Sequence, residues 1–334
     1  MDFDLSEQQR EIQSTARDLL AARSGSAAVR AAAEARESDA ALWQEIAQLG
    51  WPGIAVEERY EGQGLGLVEL CVILEQTGAA LAPIPLLPSV GAALAISHAG
   101  SEEQRQRWLP ALAQGSATGA VGVCNRDECL LAGSTDAEVF VVFDGDRSAR
   151  LIERAGAQAQ PIDSIDPLRA YVEVAGDGEP LDGDIAAAFG AVSVTVAAES
   201  VGVCQRALEM TLAYVKERRQ FEVPVGAFQA VSHRCAEMLL HTEQARSVVY
   251  HAAWASDAEP ALLSAAASLS KALACEAAVS VTASAIQGHG GIGFTWEADV
   301  HWLYKRAQLN SQLMGAAGKH RHRLAQALGI AAAA

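Results

Sequence analysis

The chain has 334 residues, half of them hydrophobic and a fifth charged, which excludes extensive disorder and allows about two or three buried cores. A formal net charge of −16 disfavours nucleic acid and anionic membranes as main partners, because both repel an acidic protein. The N-terminus lacks a signal-peptide pattern, and prolines interrupt the apolar stretch 79–99. We therefore expect a cytoplasmic protein without a membrane span.

Cysteine spacing argues against a metal site. Only Cys124 and Cys129 lie close together among the six cysteines, and no second pair completes a zinc-type spacing. We expect free thiols in a reducing cytosol and no bound metal.

Residues 1–114 are predicted to form an N-terminal helical domain. Apolar residues recur at helical spacing over 5–20, where Ser6 offers an N-cap, and again over 43–49, where Gly50 ends the pattern. A glycine-rich turn precedes a predicted helix over 67–80. The segment Pro83–Pro88 is predicted to be an extended link, and residues 101–112 a short amphipathic helix.

The pattern changes to short β-type runs at 118–124, 139–143 and 171–174, separated by Gly, Asp and Pro. Residues 166–169 are predicted to be a turn that leads into the last of these strands. We interpret 115–180 as a small β-domain.

Long, alanine-rich helices are predicted over 185–218, 228–256, 260–287 and 300–328. Residues 181–330 are therefore assigned to a C-terminal four-helix bundle. The predicted fold class is α+β, mainly α, in the order helical domain, small β-domain, bundle.

Three segments then carry a resemblance. Residues 3–9 read FDLSEQQ, residues 214–221 read YVKERRQF and continue to GAFQA at 226–230, and residues 287–297 read QGHGGIGFTWE. In this order they are similar to signatures of the acyl-CoA dehydrogenase family. The resemblance implies that family's α–β–α fold, FAD as cofactor, an acyl-CoA substrate desaturated at its α and β carbons, and a flavoprotein as electron acceptor.

The resemblance also assigns cofactor-binding residues. An arginine can donate paired hydrogen bonds to a pyrophosphate, and glycines let backbone N–H groups approach it closely. The positions that match are Arg218, Phe221, Gln229, Gln287, Gly290 and Gly291. Family members place these motifs against the flavin of a neighbouring subunit.

Alternatives remain open at several of these positions. Arg219 can replace Arg218 as the phosphate contact, and Arg218 can instead be a solvated cation at a helix end. Gly290 and Gly291 can be a plain helix terminator. His289 is either a phosphate donor or a structural residue of the loop. The basic segment 319–323 is read as a solvated helix face rather than a contact to a phosphate.

The usual proton acceptor is missing. Aligned on Arg306-Ala307 and Gly315, Met314 stands where the family has its catalytic glutamate, and a thioether does not accept a proton at neutral pH. Glu259 is a displaced candidate base, although its place before Pro260 suggests a solvated carboxylate. The family's two flavin-contacting loops of the β-domain are not found in residues 122–136.

The chain has the cofactor motifs but lacks the base and the two flavin-contacting loops. In this combination it resembles the short subunits of heterotetrameric acyl-CoA dehydrogenases of the steroid side-chain type. A longer partner (in an α2β2 assembly) would then supply the base and the contacts to the flavin ring. Two alternatives are kept: a homomeric, homo-oligomeric enzyme with a displaced base, and a non-catalytic protein of the same fold that binds CoA esters or acts as a scaffold.

Overall fold

The computed structural model describes residues 4–125 and 128–330, without the side chains of Asn125 and Glu128. Its first part is helical, as predicted. The helices in residues 4–118 are α1 (Glu7–Arg23), α2 (Ser26–Ala35), α3 (Ala40–Gln48), α4 (Leu67–Ala80), α5 (Leu86–Ala99) and α6 (Glu102–Ala113).

The helix starts follow local chemistry. The Ser6 hydroxyl accepts the N–H of Gln9, and the Gln9 side chain accepts the N–H of Ser6, which together make a capping box. The expected extended link Pro83–Pro88 is wrong in its second half, because α5 begins at Leu86 and holds Pro88 in its first turn. A proline is tolerated there, where its missing N–H would have no intrahelical partner. The helix α2 was not predicted.

The middle of the chain forms a seven-stranded sheet with the order β5-β6-β2-β1-β3-β4-β7. The strands are β1 (Gly119–Asn125), β2 (Glu128–Ala132), β3 (Val139–Asp144), β4 (Ser148–Glu153), β5 (Gln158–Ile162), β6 (Tyr171–Ala175) and β7 (Glu179–Leu181). Only the β1–β3 pair is parallel among the pairs described. Along β3, Val141 and Phe143 face the core shared with the helices, whereas Phe140 and Val142 face a second, smaller core.

The C-terminal part is the predicted bundle with one correction. Its helices are α7 (Ile185–Glu217), α8 (Gln229–Ala258), α9 (Leu263–His289), α10 (Val300–Gln312) and α11 (Ala317–Ala327). The predicted last helix is thus two helices, because the backbone has positive φ angles of 59° at Met314 and 98° at Gly315. A right-handed helix cannot continue through left-handed residues.

Two helical segments, Ile185–Glu217 and Pro260–Phe294, are long and apolar enough to cross a membrane by length and composition alone. In their most apolar stretches, 94% and 61% of the residues are buried inside the protein. Much of this apolar surface is therefore used to pack helices of the bundle. The expectation of no membrane span stays a prediction.

A buried cluster of charges joins the sheet domain to the bundle. Glu199 in α7 accepts hydrogen bonds from Arg169, from Arg306 Nη1 (3.2 Å) and from Asn310 Nδ2 (2.7 Å), and Arg306 also pairs with Asp166. All five side chains are at most 9% exposed. The predicted turn 166–169 is present, and its charged residues contact α7 and α10.

The cluster keeps Glu199 ionised. Burial acts to raise the pKa of Glu199, but Arg169, Arg306 and the hydrogen bond from Asn310 outweigh it and lower that pKa from its ordinary value of 4.5. A carboxyl group with a lowered pKa in the folded state stabilises the fold above its unfolded pKa. This contribution is lost as the pH falls from 4.5 through the folded pKa.

We predict that Glu199→Gln lowers the free energy of unfolding by about 3–5 kcal/mol at neutral pH, because it leaves two buried guanidinium groups without their shared carboxylate. The variant should also lose less stability than the wild type between neutral pH and about pH 3, measured by urea unfolding. Asp136→Asn is the control, since its pair with Arg154 is exposed and we expect a change of about 0–1 kcal/mol. Equal acid sensitivity of wild type and Glu199→Gln would contradict the role of this carboxylate.

Candidate functional site

Arg218 lies directly after α7 with an extended backbone and an exposed side chain. Its N–H donates to Tyr214 O (2.9 Å), and its carbonyl accepts from Val225 N–H (2.8 Å). Within the described residues its guanidinium makes no hydrogen bond or ion pair. Arg219 differs, because its Nη2 donates to the carbonyl of Glu222 (2.7 Å) and closes a hairpin. Of these two arginines, Arg218 has its guanidinium available for an anion.

The hairpin after Arg218 presents an aromatic ring to solvent. Its strands are β8 (Arg219–Gln220) and β9 (Val223–Pro224), and both turn residues, Phe221 and Glu222, have positive φ. Phe221 is 88% exposed. Its one ring contact within the described residues is an edge contact with Phe228, at 6.2 Å between ring centroids. Gln229 is the exposed first residue of α8. An apolar ring this exposed is available to a partner or ligand.

The glycine loop follows α9. Gly290 has φ +63°, which favours glycine, and a Cβ at Gly290 or Gly291 would meet nothing within 4 Å. The space in front of both backbones is therefore open. Gln287 is exposed in the last turn of α9.

His289 connects the two motifs. It is 7% exposed, its Nδ1 lies 2.8 Å from Ala285 O, and its ring stacks on Tyr214 at 4.6 Å. Burial lowers its pKa. These contacts give His289 a structural role and place the end of α7, with Arg218, beside the end of α9.

Arg30 of α2 holds the segment after the glycine loop, a contact that sequence reasoning missed. Its guanidinium donates to the carbonyls of Trp296 (2.8 Å) and Glu297 (2.5 Å) and pairs with Asp299 (2.7 Å). The spacing of Val29 and Ala33, both buried, was the available signal for an amphipathic helix here.

Met314 is fully buried between α10 and α11. Its carbonyl lies 3.0 Å from His320 Nε2, and the carbonyl of the next residue, Gly315, accepts from the buried Lys271 Nζ at 3.1 Å. Burial, reinforced by Lys271, lowers the pKa of His320 to about 4. A neutral imidazole and a thioether thus occupy the position where the resemblance expects a carboxylate.

The space beside His320 is closed. Phe189 stacks on His320 at 5.9 Å, and the Arg323 guanidinium lies 4.3 Å from the centre of the Phe189 ring. The remaining cavity has a volume of about 10 Å³. The segment 319–323 is therefore only partly a solvated face, because His320 is buried and Arg323 pairs with Asp146 at 3.1 Å.

Glu259 lies at the C-terminal cap of α8 with its side chain exposed. The nearby Asp257 accepts the N–H of Leu67 at the start of α4 (2.9 Å) and so caps that helix. The structure shows no contact that brings Glu259 to Met314 or His320 within the described residues.

The expectation of six free thiols is wrong for one pair. Cys124 and Cys129 are joined by a disulfide, and the other four cysteines are buried and free. The two are direct partners on the antiparallel strands β1 and β2, with Cα atoms 4.0 Å apart. The sequence did not reveal β2, so this pairing was missed. Residues 126 and 127, between the two strands in the chain, lie outside the described residues.

Comparison with known proteins decides the family. The family described as Acyl-CoA dehydrogenase, N-terminal domain matches residues 6–116, and Acyl-CoA dehydrogenase, C-terminal domain matches residues 185–329. The chain belongs to the acyl-CoA dehydrogenase family. The predicted resemblance and fold are confirmed, and the cofactor of this family is FAD, as predicted. PigA with FAD and proline, a solved structure, has the same fold at a TM-score of 0.85 and 23% identity over 99% of this chain and 100% of its own.

Two relatives extend over nearly the whole chain. Acyl-CoA dehydrogenase IpdE2 of Mycobacterium tuberculosis is 35% identical over 92% of this chain and 93% of its own. The IpdE2 of Mycolicibacterium smegmatis is 34% identical over 93% of this chain and 96% of its own. Among solved structures, the Tcur3481-Tcur3483 steroid ACAD G363A variant has a TM-score of 0.84 and 28% identity over 97% and 98% of the two chains.

The described side chains fit the phosphate end of the cofactor. Within the described residues Arg218 makes no ion pair, Gly290 and Gly291 face open space, and Phe221 is an exposed flat ring. The pyrophosphate of FAD carries negative charge, which suits this guanidinium, and the two glycines let the loop approach it closely. The N–H of Gly290 is already used, since it donates to the carbonyl of Gln287.

We predict that Ellman titration of the denatured, unreduced protein counts four thiols and that reduction raises the count to six. Cys124→Ser is the control, because it frees Cys129 and should give five thiols with or without reduction. Six thiols in unreduced wild-type protein would contradict the disulfide.

Proposed function

We propose that this chain is the short, base-lacking subunit of a heteromeric, FAD-dependent acyl-CoA dehydrogenase. One contrast carries the proposal: the guanidinium of Arg218 and the ring of Phe221 are exposed and available to a dinucleotide, whereas a buried methionine stands at the position of the catalytic base. The backbone of that methionine contacts His320, which lines a cavity of about 10 Å³. In this assembly a longer acyl-CoA dehydrogenase subunit supplies the carboxylate and the acyl pocket.

The role of this chain is to hold the phosphate and adenine end of a flavin seated mainly in the partner. Arg218 donates hydrogen bonds to the pyrophosphate, and Gln287 offers its side-chain amide beside it. Gly290 and Gly291 have no side chain and so let the loop approach closely, while the N–H of Gly290 itself donates to the carbonyl of Gln287. Phe221 packs against the adenine end, and Gln229 lies next to it. When bound, FAD accepts the hydride that leaves the β-carbon of the acyl-CoA.

The arrangement around Met314 disfavours a complete active site in this chain. His320, with a pKa of about 4, is a weak base, and it is fully buried. A cavity of about 10 Å³ holds no thioester. Glu259 is exposed at the end of another helix, so the homomeric alternative lacks a positioned proton acceptor.

Exposed apolar side chains support a partner subunit. Phe221, Phe294 and Trp296 are 88%, 78% and 68% exposed, and all three lie in the two cofactor motifs. Apolar surface of this kind is stabilised when another chain covers it. Covering it would also bring the partner's flavin to Arg218 and the glycine loop.

The names of relatives guide the choice of substrate. One similar structure is described as a steroid ACAD, and the ChsE4-ChsE5 complex from Mycobacterium tuberculosis shares the fold at a TM-score of 0.85 and 23% identity. We propose a CoA thioester of a steroid-derived acid as substrate, a cytoplasmic location, and an electron-transferring flavoprotein as acceptor.

The first experiment compares the chain alone with the chain co-expressed with a longer acyl-CoA dehydrogenase encoded nearby. We expect a colourless chain alone and a yellow complex with one FAD per two chains that desaturates acyl-CoA in a ferricenium assay. A yellow, active chain alone would favour the homomeric enzyme. Absence of flavin under both conditions would favour the scaffold alternative.

In that complex we predict that Arg218→Ala weakens FAD binding about 10- to 100-fold, since a charged hydrogen bond is worth roughly 1.5–3 kcal/mol. Arg219→Ala is the matched control, because Arg219 closes its own hairpin and should change FAD affinity little. FAD affinity is measured by flavin fluorescence during dilution of the purified complex. Equal effects of both variants would count against the assignment of Arg218.

A further inference from the structure

A second cavity lies between α1, α4 and α7, away from Met314 and the glycine loop. Its volume is about 660 Å³, within the usual range for small-molecule sites. One face of α1 supplies Gln13, Arg17 and Leu20, and Ser24, the residue that caps the C-terminus of this helix, continues the same spacing. The proposed function uses none of these residues.

The acidic groups around this cavity are already neutralised. Glu75 accepts two hydrogen bonds from Arg246 (3.1 and 3.0 Å) and one from Tyr250 (2.9 Å). Glu209 pairs with Arg206 (4.0 Å) and accepts from Gln205 (2.7 Å), and Asp299 pairs with Arg30. The cavity therefore has no unengaged carboxylate among its described lining residues.

Several polar groups that line the cavity lack partners. Gln76 and Ser24 are each 8% exposed; the Ser24 hydroxyl is buried without a hydrogen bond, and Gln76 makes none within the described residues. Gln13 and Arg17 also have no partner there. Buried polar groups in proteins are nearly always satisfied, so the Ser24 hydroxyl points to a missing ligand. The Gln76 amide lines the same cavity and is available to that ligand.

The remaining wall is apolar, formed by Leu20, Val29, Leu81, Met210 and Leu303. The one charge left without a counterion among the described lining groups is the Arg17 guanidinium. From this arrangement we propose that the cavity binds a small organic acid, with its carboxylate at Arg17, its polar groups at Ser24 and Gln76, and its aliphatic body against the apolar wall.

The test uses the full chain, in its complex if one is purified, and dansyl-labelled undecanoic acid as the probe. We expect saturable fluorescence enhancement with one probe per chain and weaker binding of the uncharged methyl ester. Arg17→Gln should weaken binding of the acid about tenfold and leave the ester unchanged, because it removes the counterion of the carboxylate alone. Arg10→Gln, on the same helix but paired with Asp4, is the matched control.

A second pair of variants locates the probe. Ala80→Phe should fill the cavity and abolish binding, whereas Ala236→Phe blocks a separate apolar groove beside Leu212 and Leu239 and should have no effect. Arg17 is exposed, so its variant reports on binding even if Ala80→Phe fails to fold. No saturable binding, equal affinity for acid and ester, or loss of binding in Ala236→Phe would each overturn the proposal.

Discussion

The carboxylate of Glu199 is the contact on which the rest of the architecture depends. It lies in the middle of the longest helix and is shared by Arg169 from the sheet domain and Arg306 from α10. Because the charges are buried, the loss of any one of them leaves its partners uncompensated and away from water, which is strongly destabilising. This fixes α10 against α7 and so determines where Met314 and Gly315, just after α10, are placed.

The molecule separates an open end from a closed interior. At the open end, Arg218 and Phe221 expose a cation and a ring beside the glycine loop. In the interior, Met314 is fully buried, and Phe189 stacks on His320 beside a cavity of about 10 Å³. A cation at the surface stays hydrated, whereas close packing of buried side chains preserves their dispersion contacts.

Much of the fold could be predicted because its signals are local. The capping pair Ser6 and Gln9, the helical apolar spacing of α7 and the turn at 166–169 are all readable from neighbouring residues. The weak points are those where pairing is not local. The strand β2 has only five residues and was missed, and with it the Cys124–Cys129 bond. The last helix was predicted as continuous, because no local sequence signal indicates the left-handed backbone conformation of Met314.

The sequence by itself determined the family and the order of helical domain, sheet and bundle, since these depend on motifs and on periodicity along the chain. It also predicted the residues that would bind a dinucleotide. Within the described residues, only the tertiary structure decided that the Arg218 guanidinium rather than that of Arg219 is unpaired and that the space beside His320 is closed. It also decided that Ser24 and Gln76 line a cavity without hydrogen-bond partners there. Each of these depends on which side chains come into contact between helices that are far apart in the chain, and the spacing of residues along the chain does not predict such contacts.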